Sequence, residues 1–292
     1  MINDFEYLAP KTLKDALALL DKYKDEDHKV IAGGQSLLIL MRQGLVAPQY
    51  LIDIKGISEL SYIKSDAKEG LRIGALTTHR AVEKSPVMKN GYGVLSEMEK
   101  RLASIQTRNW GTIGGNVCHG DPAGDPAPVL IALDATLKVA SLKAERTIPA
   151  EDFTLDYFET ALEPGELLVE IQVPPPHPHT GTAYSKFNII ESDMATVSAA
   201  VSVTLKSDNK TCDDVRIVLG AAAPTPRRAK QAEAVLRGKE ITASLLKEAG
   251  NVASTEAEPL SDIAASAEYR QELVKVMLAR VGKEALARAK KT

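Results

Sequence analysis

Residues 112–125 read TIGGNVCHGDPAGD, a run too rich in glycine and small side chains to be an ordinary packing element, yet one that holds a cysteine, a histidine and two aspartates. With Gly111 just before it, Gly114 and Gly115 surround Thr112 and Asn116, so the backbone can approach a ligand closely while short polar groups reach it. A planar cofactor with a diphosphate needs that mixture: close backbone N–H groups for the charged bridge, and hydroxyl or carboxylate groups for sugar hydroxyls. Asp125 suits the second task, whereas Asp121 suits capping the turn that follows. Metal binding is disfavoured, because Cys118 and His119 are neighbours and no C-x-x-C or H-x-x-x-H partner accompanies them. A thiol nucleophile needs a base and an oxyanion hole, and an adjacent His119 usually points elsewhere. Cys118 therefore reads as a small residue filling a tight space near a ligand.

A second glycine cluster lies upstream. AGGQSL, residues 32–37, follows a predicted strand over Lys29–Ala32, and Gly33-Gly34 would let consecutive N–H groups converge on an anion, helped by the Ser36 hydroxyl. It is not a G-x-G-x-x-G fingerprint, although Asp53 lies at a suitable distance, and no Gly-Lys-Ser/Thr makes it a Walker loop. Alone it reads more simply as a tight strand-to-helix turn.

Around these clusters the opening segment alternates helix and strand. Thr12 caps a helix with Asp15 answering it, and Leu13, Ala16, Leu17 and Leu20 form its apolar stripe. Leu51, Ile52 and Ile54 mark a buried strand, which completes a βαβ-like unit ending near residue 55. Short strands follow in LSYI and LRIGALTT, then a helix announced by Ser85-Pro86 and interrupted around Gly91 and Gly93. PVLIALDATLKVAS predicts a helix and then a strand, and GELLVEIQV a strand halted by prolines. PPPHP, residues 174–178, is the best boundary in the chain, since proline continues neither a ladder nor a helix. Beyond it Val197, Ala199, Val201, Val203 and Leu205 alternate with polar and small residues as in a half-buried strand. A second strand and then mostly helix complete an α+β unit, with Tyr269, Leu273, Val276 and Met277 predicted as the stripe of the last helix.

Bulk properties exclude several function classes. The 292-residue chain has 36 Lys and Arg against 39 Asp and Glu, a net charge near −3, and no long basic block, which argues against nucleic acid as a partner. No apolar run is long enough to cross a bilayer. Two cysteines cannot build a disulfide framework, and the N-terminus lacks the order of a secretory signal, so a cytoplasmic location is expected.

In this order, AGGQSL, YLIDIKGI, LRIGALTTH, RNWGTIGGNVCHGDPAGDPAPVLIALDA and AYSKF resemble the FAD-binding medium subunit of the molybdenum hydroxylases, the carbon monoxide dehydrogenase and xanthine dehydrogenase type. The resemblance implies an α+β fold. A two-subdomain FAD-binding domain of the PCMH/vanillyl-alcohol-oxidase type would span residues 1–55 and 56–175. A small C-terminal domain with a three-stranded antiparallel sheet would span residues 179–292. It implies that Ala32, Gly33, Gly34, Gln35, Ser36 and Leu37 cradle the diphosphate, and that Gly111, Thr112, Gly114, Gly115 and Asn116 approach the diphosphate and ribityl regions. Asp125 would hold sugar hydroxyls, Ile54, Ala75 and Thr78 would lie near the cofactor, and Leu167 or Leu168 would flank the adenine. Lys186 would meet the polar edge of the flavin, with Tyr184 either covering the ring or belonging to the core. No side chain is expected to be catalytic or to bind a metal.

The same resemblance implies partners: a large subunit with the molybdenum cofactor, a small subunit with two 2Fe-2S clusters, and a dimer of heterotrimers. Two distant cysteines cannot supply such clusters here, and the cysteine-bearing insertion of the hydroxybenzoyl-CoA reductase branch is absent. After YSKF, where many relatives carry a basic pair, this chain reads NIIESDMA, and no segment suggests a nicotinamide site. The other readings of the sequence are a stand-alone FAD-dependent oxidoreductase and a scaffold subunit without FAD.

Overall fold

The protein is described by a computed structural model over residues 3–292. It opens with β1 (Glu6–Leu8), α1 (Leu13–Lys22), β2 (His28–Ile31), α2 (Leu37–Gln43) and β3 (Tyr50–Asp53), the three strands forming a parallel sheet in the order β1-β3-β2. Thr12 starts α1: its Oγ1 accepts from the N–H of Asp15 at 3.1 Å and donates to Asp15 Oδ2 at 2.7 Å, so the first turn closes on its own side chains. Ala16, Leu17 and Leu20 are buried and Leu13 lies at the rim. Strand β1 escapes the sequence reading because three residues carry no period.

A five-stranded antiparallel sheet follows. It is built from β4 (Ile63–Asp66), β5 (Gly70–Gly74), β6 (Thr136–Ala140), β7 (Glu145–Pro149) and, after the small pair β8 (Thr154–Asp156) and β9 (Glu159–Thr160), β10 (Leu167–Val173). The order is β4-β5-β10-β6-β7. The strand expected at LSYI starts later, at Ile63, because Ser58–Leu60 is a 3-10 turn. Between β5 and β6 run five short helices: α3 (His79–Lys84), α4 (Gly93–Arg101), α5 (Ile105–Trp110), α6 (Ile113–His119) and α7 (Pro126–Ala132). The interruption near Gly91 is present: a 3-10 turn at Pro86–Lys89 ends before Gly91, whose φ of 91° suits glycine, and α4 starts afresh at Gly93.

After the prolines come β11 (Thr180–Phe187), β12 (Val197–Leu205), β13 (Cys212–Gly220) and the two-residue β14 (Arg227–Arg228), all antiparallel, then α8 (Lys230–Leu236), α9 (Ala243–Glu256) and α10 (Ala267–Ala289). Three strands are long, as expected, and β14 adds a short fourth at the edge. The odd residues of β12 pack with α9 and α10. Its other face is covered too: Tyr184, Ala200 and Val218, side by side in register across three strands, belong to the core of the five-stranded sheet and its helices. The stripe of α10 differs from expectation. Tyr269 and Val276 are 49% and 43% exposed, and the buried line runs through Arg270, Leu273, Val274, Met277, Leu278 and Val281.

A further apolar cluster joins the parallel sheet to the antiparallel one, with Ile52, Ile54 and Ile57 against Leu76, Ala140, Leu167 and Val169. Each buried aliphatic side chain contributes about 1.5–3 kcal/mol, so this seam fixes how the two glycine clusters face each other. Among the described residues no helix is long and apolar enough to cross a membrane.

Candidate functional site

The first glycine cluster leaves the end of β2 and turns into α2, with Gly34 at φ 71°. Among the described residues, the N–H groups of Gly33, Gly34, Gln35 and Ser36 donate to no protein acceptor, and Ser36 stands at the start of α2 without a side-chain cap bond. Gln35 Nε2 donates to Gly33 O at 3.1 Å, which braces the turn. Four adjacent donors without acceptors are costly unless water or a ligand takes them, and an anionic bridge suits them.

The second cluster is strapped to the segment after β5. Gly114 N–H donates to Ala75 O, Ile113 N–H to Thr77 O, and His79 N–H to Gly111 O, each at 3.0 Å, and Thr78 bridges Thr112. Thr112 caps α6, its Oγ1 accepting from the Gly115 N–H at 3.1 Å. Glycine is required here by crowding: a Cβ on Gly114 would stand 2.5 Å from Ala75 O, and one on Gly33 would stand 2.2 Å from Trp110 O and 2.7 Å from Gly111 Cα. The two clusters, some eighty residues apart in sequence, therefore touch backbone to backbone. Ala32 faces Gly115, and Gln35 faces Gly111.

The other expected residues divide. Ala75 is 4% exposed and lies beneath Gly114, so it supports the loop. Thr78 caps α3, accepting from the Ala81 N–H at 3.2 Å. Leu37 begins α2, half-buried. Asn116 is half-buried on α6 and its amide has no hydrogen-bond partner among the described residues. Ile54 and Leu167 sit in the seam between the two sheets, beside Ala32. Leu168 points to the opposite face of β10, into the core of the larger sheet, so strand alternation keeps the two leucines from flanking one group together.

Asp125 and Lys186, expected at different parts of a ligand, are each other's partners. Lys186 Nζ donates to Asp125 Oδ2 at 2.7 Å and to Asp193 O at 3.0 Å, and the Tyr184 hydroxyl donates to Asp125 Oδ1 at 2.5 Å. All three are buried. Burial pushes the Asp125 carboxyl above its usual range, opposed by Lys186 and Tyr184, and burial with Asp125 raises the Tyr184 phenol. Arg101 braces the strand from outside, its Nη1 donating to Ser185 Oγ at 3.0 Å.

Burial pushes the Cys118 thiol up to about 12 and that of Cys212 to about 11, far from the thiolate a nucleophile needs. His119 packs against Phe158, ring centroids 5.1 Å apart and planes tilted by 51°. Among the described residues no group of three or more His, Cys, Asp or Glu is placed to hold a metal ion.

Sequence reasoning missed the polar support beneath the second cluster. His79 and Glu99 form a buried pair, and Arg108 is bound by Glu83 at 3.1 Å and by the Leu102 and Ala103 carbonyls at 2.6 and 2.8 Å. Only the position of His79 directly after Thr78 pointed that way.

Comparison with known proteins matches two domain families: residues 3–176 to the FAD binding domain in molybdopterin dehydrogenase, and residues 182–285 to the CO dehydrogenase flavoprotein C-terminal domain. The chain is 37% identical over 284 residues to the carbon monoxide dehydrogenase medium chain of Hydrogenophaga pseudoflava, covering 97% of this chain and 98% of that one. It is 35% identical to the 6-hydroxypseudooxynicotine dehydrogenase complex subunit alpha of Paenarthrobacter nicotinovorans, covering 99% and 96%. Among solved structures, carbon monoxide dehydrogenase from Hydrogenophaga pseudoflava superimposes with a TM-score of 0.94 at 38% identity, and quinoline 2-oxidoreductase from Pseudomonas putida 86 with 0.92 at 32%; each match covers 99% of both chains.

Proposed function

The chain belongs to the FAD-binding medium subunits of the molybdopterin dehydrogenases, the CO dehydrogenase flavoprotein family, and from that premise we propose that it holds FAD between its two glycine clusters and relays electrons within a molybdenum hydroxylase. The observation that carries the reading is the row of N–H groups at Gly33–Ser36, which have no acceptor among the described residues and are pressed against Gly111 of the second cluster.

The residues fit the group. The four N–H groups, with the Ser36 hydroxyl, take the diphosphate, where backbone donors bind an anion without an added cation. Thr112, Gly115 and Asn116 form the opposite wall and reach the ribityl region, and Leu167 with Ile54 supplies the apolar flank for the adenine. Asp125 and Lys186 act as one unit: the carboxylate fixes the ammonium, which would stabilise negative charge on the flavin. The divisions at residues 1–55, 56–175 and 179–292 assign one cluster to each of the first two units.

Bound FAD supplies redox chemistry that can accept electrons singly from an iron–sulfur centre and deliver them to an acceptor. The chain's own part is to bind it, orient it and hold its charges. The partners that would supply those electrons are a small subunit with two 2Fe-2S clusters and a large subunit that carries the molybdenum cofactor, in a dimer of heterotrimers. The acceptor would lie outside the complex. Relatives named as medium chains and complex subunits support a multi-subunit assembly, and two unpaired cysteines suit a reducing cytoplasm.

Purification of the native assembly with its absorbance spectrum, subunit composition and metal content tests this. Flavin, molybdenum and iron should co-purify, and the donor substrate should bleach the flavin. A chain isolated without flavin, with neither metal in its assembly, would refute the reading.

A further inference from the structure

We propose that His79 is a further contact of the bound dinucleotide, and that Glu99 is the positioning residue that holds it as a donor from Nε2. The inference rests on FAD binding between the two glycine clusters and adds a residue pair to that site.

His79 opens α3, and its N–H donates to Gly111 O at 3.0 Å, so its backbone is tied to the second cluster. Its ring edge lies against the same residue: Cδ2 is 3.1 Å from where a Cβ on Gly111 would stand, and that point is 3.4 Å from Gln35 Cγ of the first cluster. The imidazole therefore sits where the two clusters meet. On its other side Nδ1 lies 3.0 Å from Glu99 Oε1 and 2.9 Å from Oε2, the two side chains being 3% and 0% exposed.

Two atoms of this pair lack a partner among the described residues. Glu99 Oε2 is sealed from solvent and, although 2.9 Å from Nδ1, receives no aligned hydrogen bond, since the Nδ1 bond goes to Oε1; His79 Nε2 makes no hydrogen bond and is not sealed. An ionised carboxylate with one oxygen lacking a hydrogen bond is a costly thing to bury, and a neutral carboxyl much less so. Burial accordingly raises Glu99, and the nearby negative Asp125 adds to this, against the pull of His79 and Arg108.

Counting protons fixes the role of Nε2. A pair with no net charge is either carboxylate with imidazolium or carboxylic acid with neutral imidazole. In the first both ring nitrogens carry hydrogen; in the second Nδ1 accepts from the acid and the ring hydrogen is on Nε2. Either way Nε2 donates. Only a pair of net charge −1 would make it an acceptor, and burial beside Asp125 disfavours that state. The ligand atom it suits is an oxygen acceptor of the dinucleotide, with a phosphoryl oxygen the best match for the anion-binding surroundings.

The test uses the full chain in its native assembly, stripped of flavin and titrated with FAD by flavin fluorescence, with thermal unfolding of the flavin-free proteins in parallel. His79→Asn keeps the link to Glu99 but ends short of the Nε2 position, and should weaken FAD binding about ten- to a hundredfold, the equivalent of one charge-assisted hydrogen bond. His79→Gln restores a donor near the Nε2 position and should recover most of the loss. Glu99→Met removes the partner of Nδ1, so that the ring is no longer anchored and its hydrogen is no longer directed to Nε2; FAD binding should weaken similarly, with no further loss in combination with His79→Asn. A merely structural pair would lower the unfolding temperature in all three variants and leave the affinity of the folded proteins unchanged, which overturns the inference. So does His79→Gln binding no better than His79→Asn. Should His79→Asn not fold, Glu99→Met decides: wild-type affinity there overturns the inference. A wild-type chain that takes up no FAD overturns both this inference and the function it rests on, whereas wild-type uptake with unchanged variants overturns this one alone.

Discussion

A methyl group at position 33 would strike the junction on which the proposed site depends. In Gly33→Ala the new Cβ would stand 2.2 Å from Trp110 O and 2.7 Å from Gly111 Cα. Ordinary contact begins near 3.4 Å, so the clusters must part by about 1.2 Å. Neither obstacle is a side chain that can swing away: both are backbone, and Gly111 O is held by the His79 N–H. Overpacking of this kind costs about 1–3 kcal/mol, which lowers the unfolding temperature by a few degrees in a chain of this size. The larger effect falls on the ligand. Hydrogen bonds keep their strength over only about half an ångström, so parting the clusters takes at least one donor out of reach of the diphosphate, and FAD binding weakens about ten- to a hundredfold. Gly238→Ala is the control: φ is 77° with nothing within 4 Å of the new Cβ, so about 1–2 kcal/mol of backbone strain is added far from the clusters. Both variants lose stability, and only Gly33→Ala loses affinity in a fluorescence titration. Gly33→Ala with wild-type affinity would sink the reasoning that the two clusters close on one molecule.

Lys186→Met leaves the carboxylate of Asp125, 5% exposed, without its cation; the loss should be about 3–5 kcal/mol in urea unfolding, and adding Asp125→Asn should recover part of it, whereas an unchanged midpoint would show that the pair is not buried as described. Far from the site, the Thr211 hydroxyl and the N–H groups of Thr211 and Lys210 hold Asp208 at about 2. A carboxyl depressed by folding stabilises above its unfolded value near 3.9, and that contribution fades as pH falls through about 2. A carboxyl titration by NMR should find Asp208 ionised at pH well below 3.9, and a midpoint at the unfolded value would contradict the turn geometry.

Much of the fold was legible because it is written locally. The cap of α1 needs only Thr12 and Asp15, three residues apart, and the long strands β10 and β12 show their apolar pattern and their proline boundary. The strand β1 was not legible, since three residues acquire a strand's conformation only through pairing with β3. The stripe of α10 was misplaced because the helix lies between β11, β12 and α9, so its buried side is chosen by neighbours that periodicity alone does not reveal. At the site, glycine content marked both clusters, since close approach demands glycine wherever it occurs. The pairing of Asp125 with Lys186, 61 residues apart, and of His79 with Glu99, 20 apart, left no local trace. Partners of buried charges are set by topology, so chemistry-bearing residues read one at a time do not reveal that they bind each other.

The row Tyr184, Ala200 and Val218, which turns one face of the last sheet into the core of its neighbour, limits how this chain can be recombined. Splicing at the prolines would graft a foreign sheet onto a surface shaped for this one, leaving gaps or collisions along three strands. Hybrids with relatives should tolerate exchange of the whole chain far better than a crossover at that apparent joint, so the two halves are expected to be inherited as a single unit.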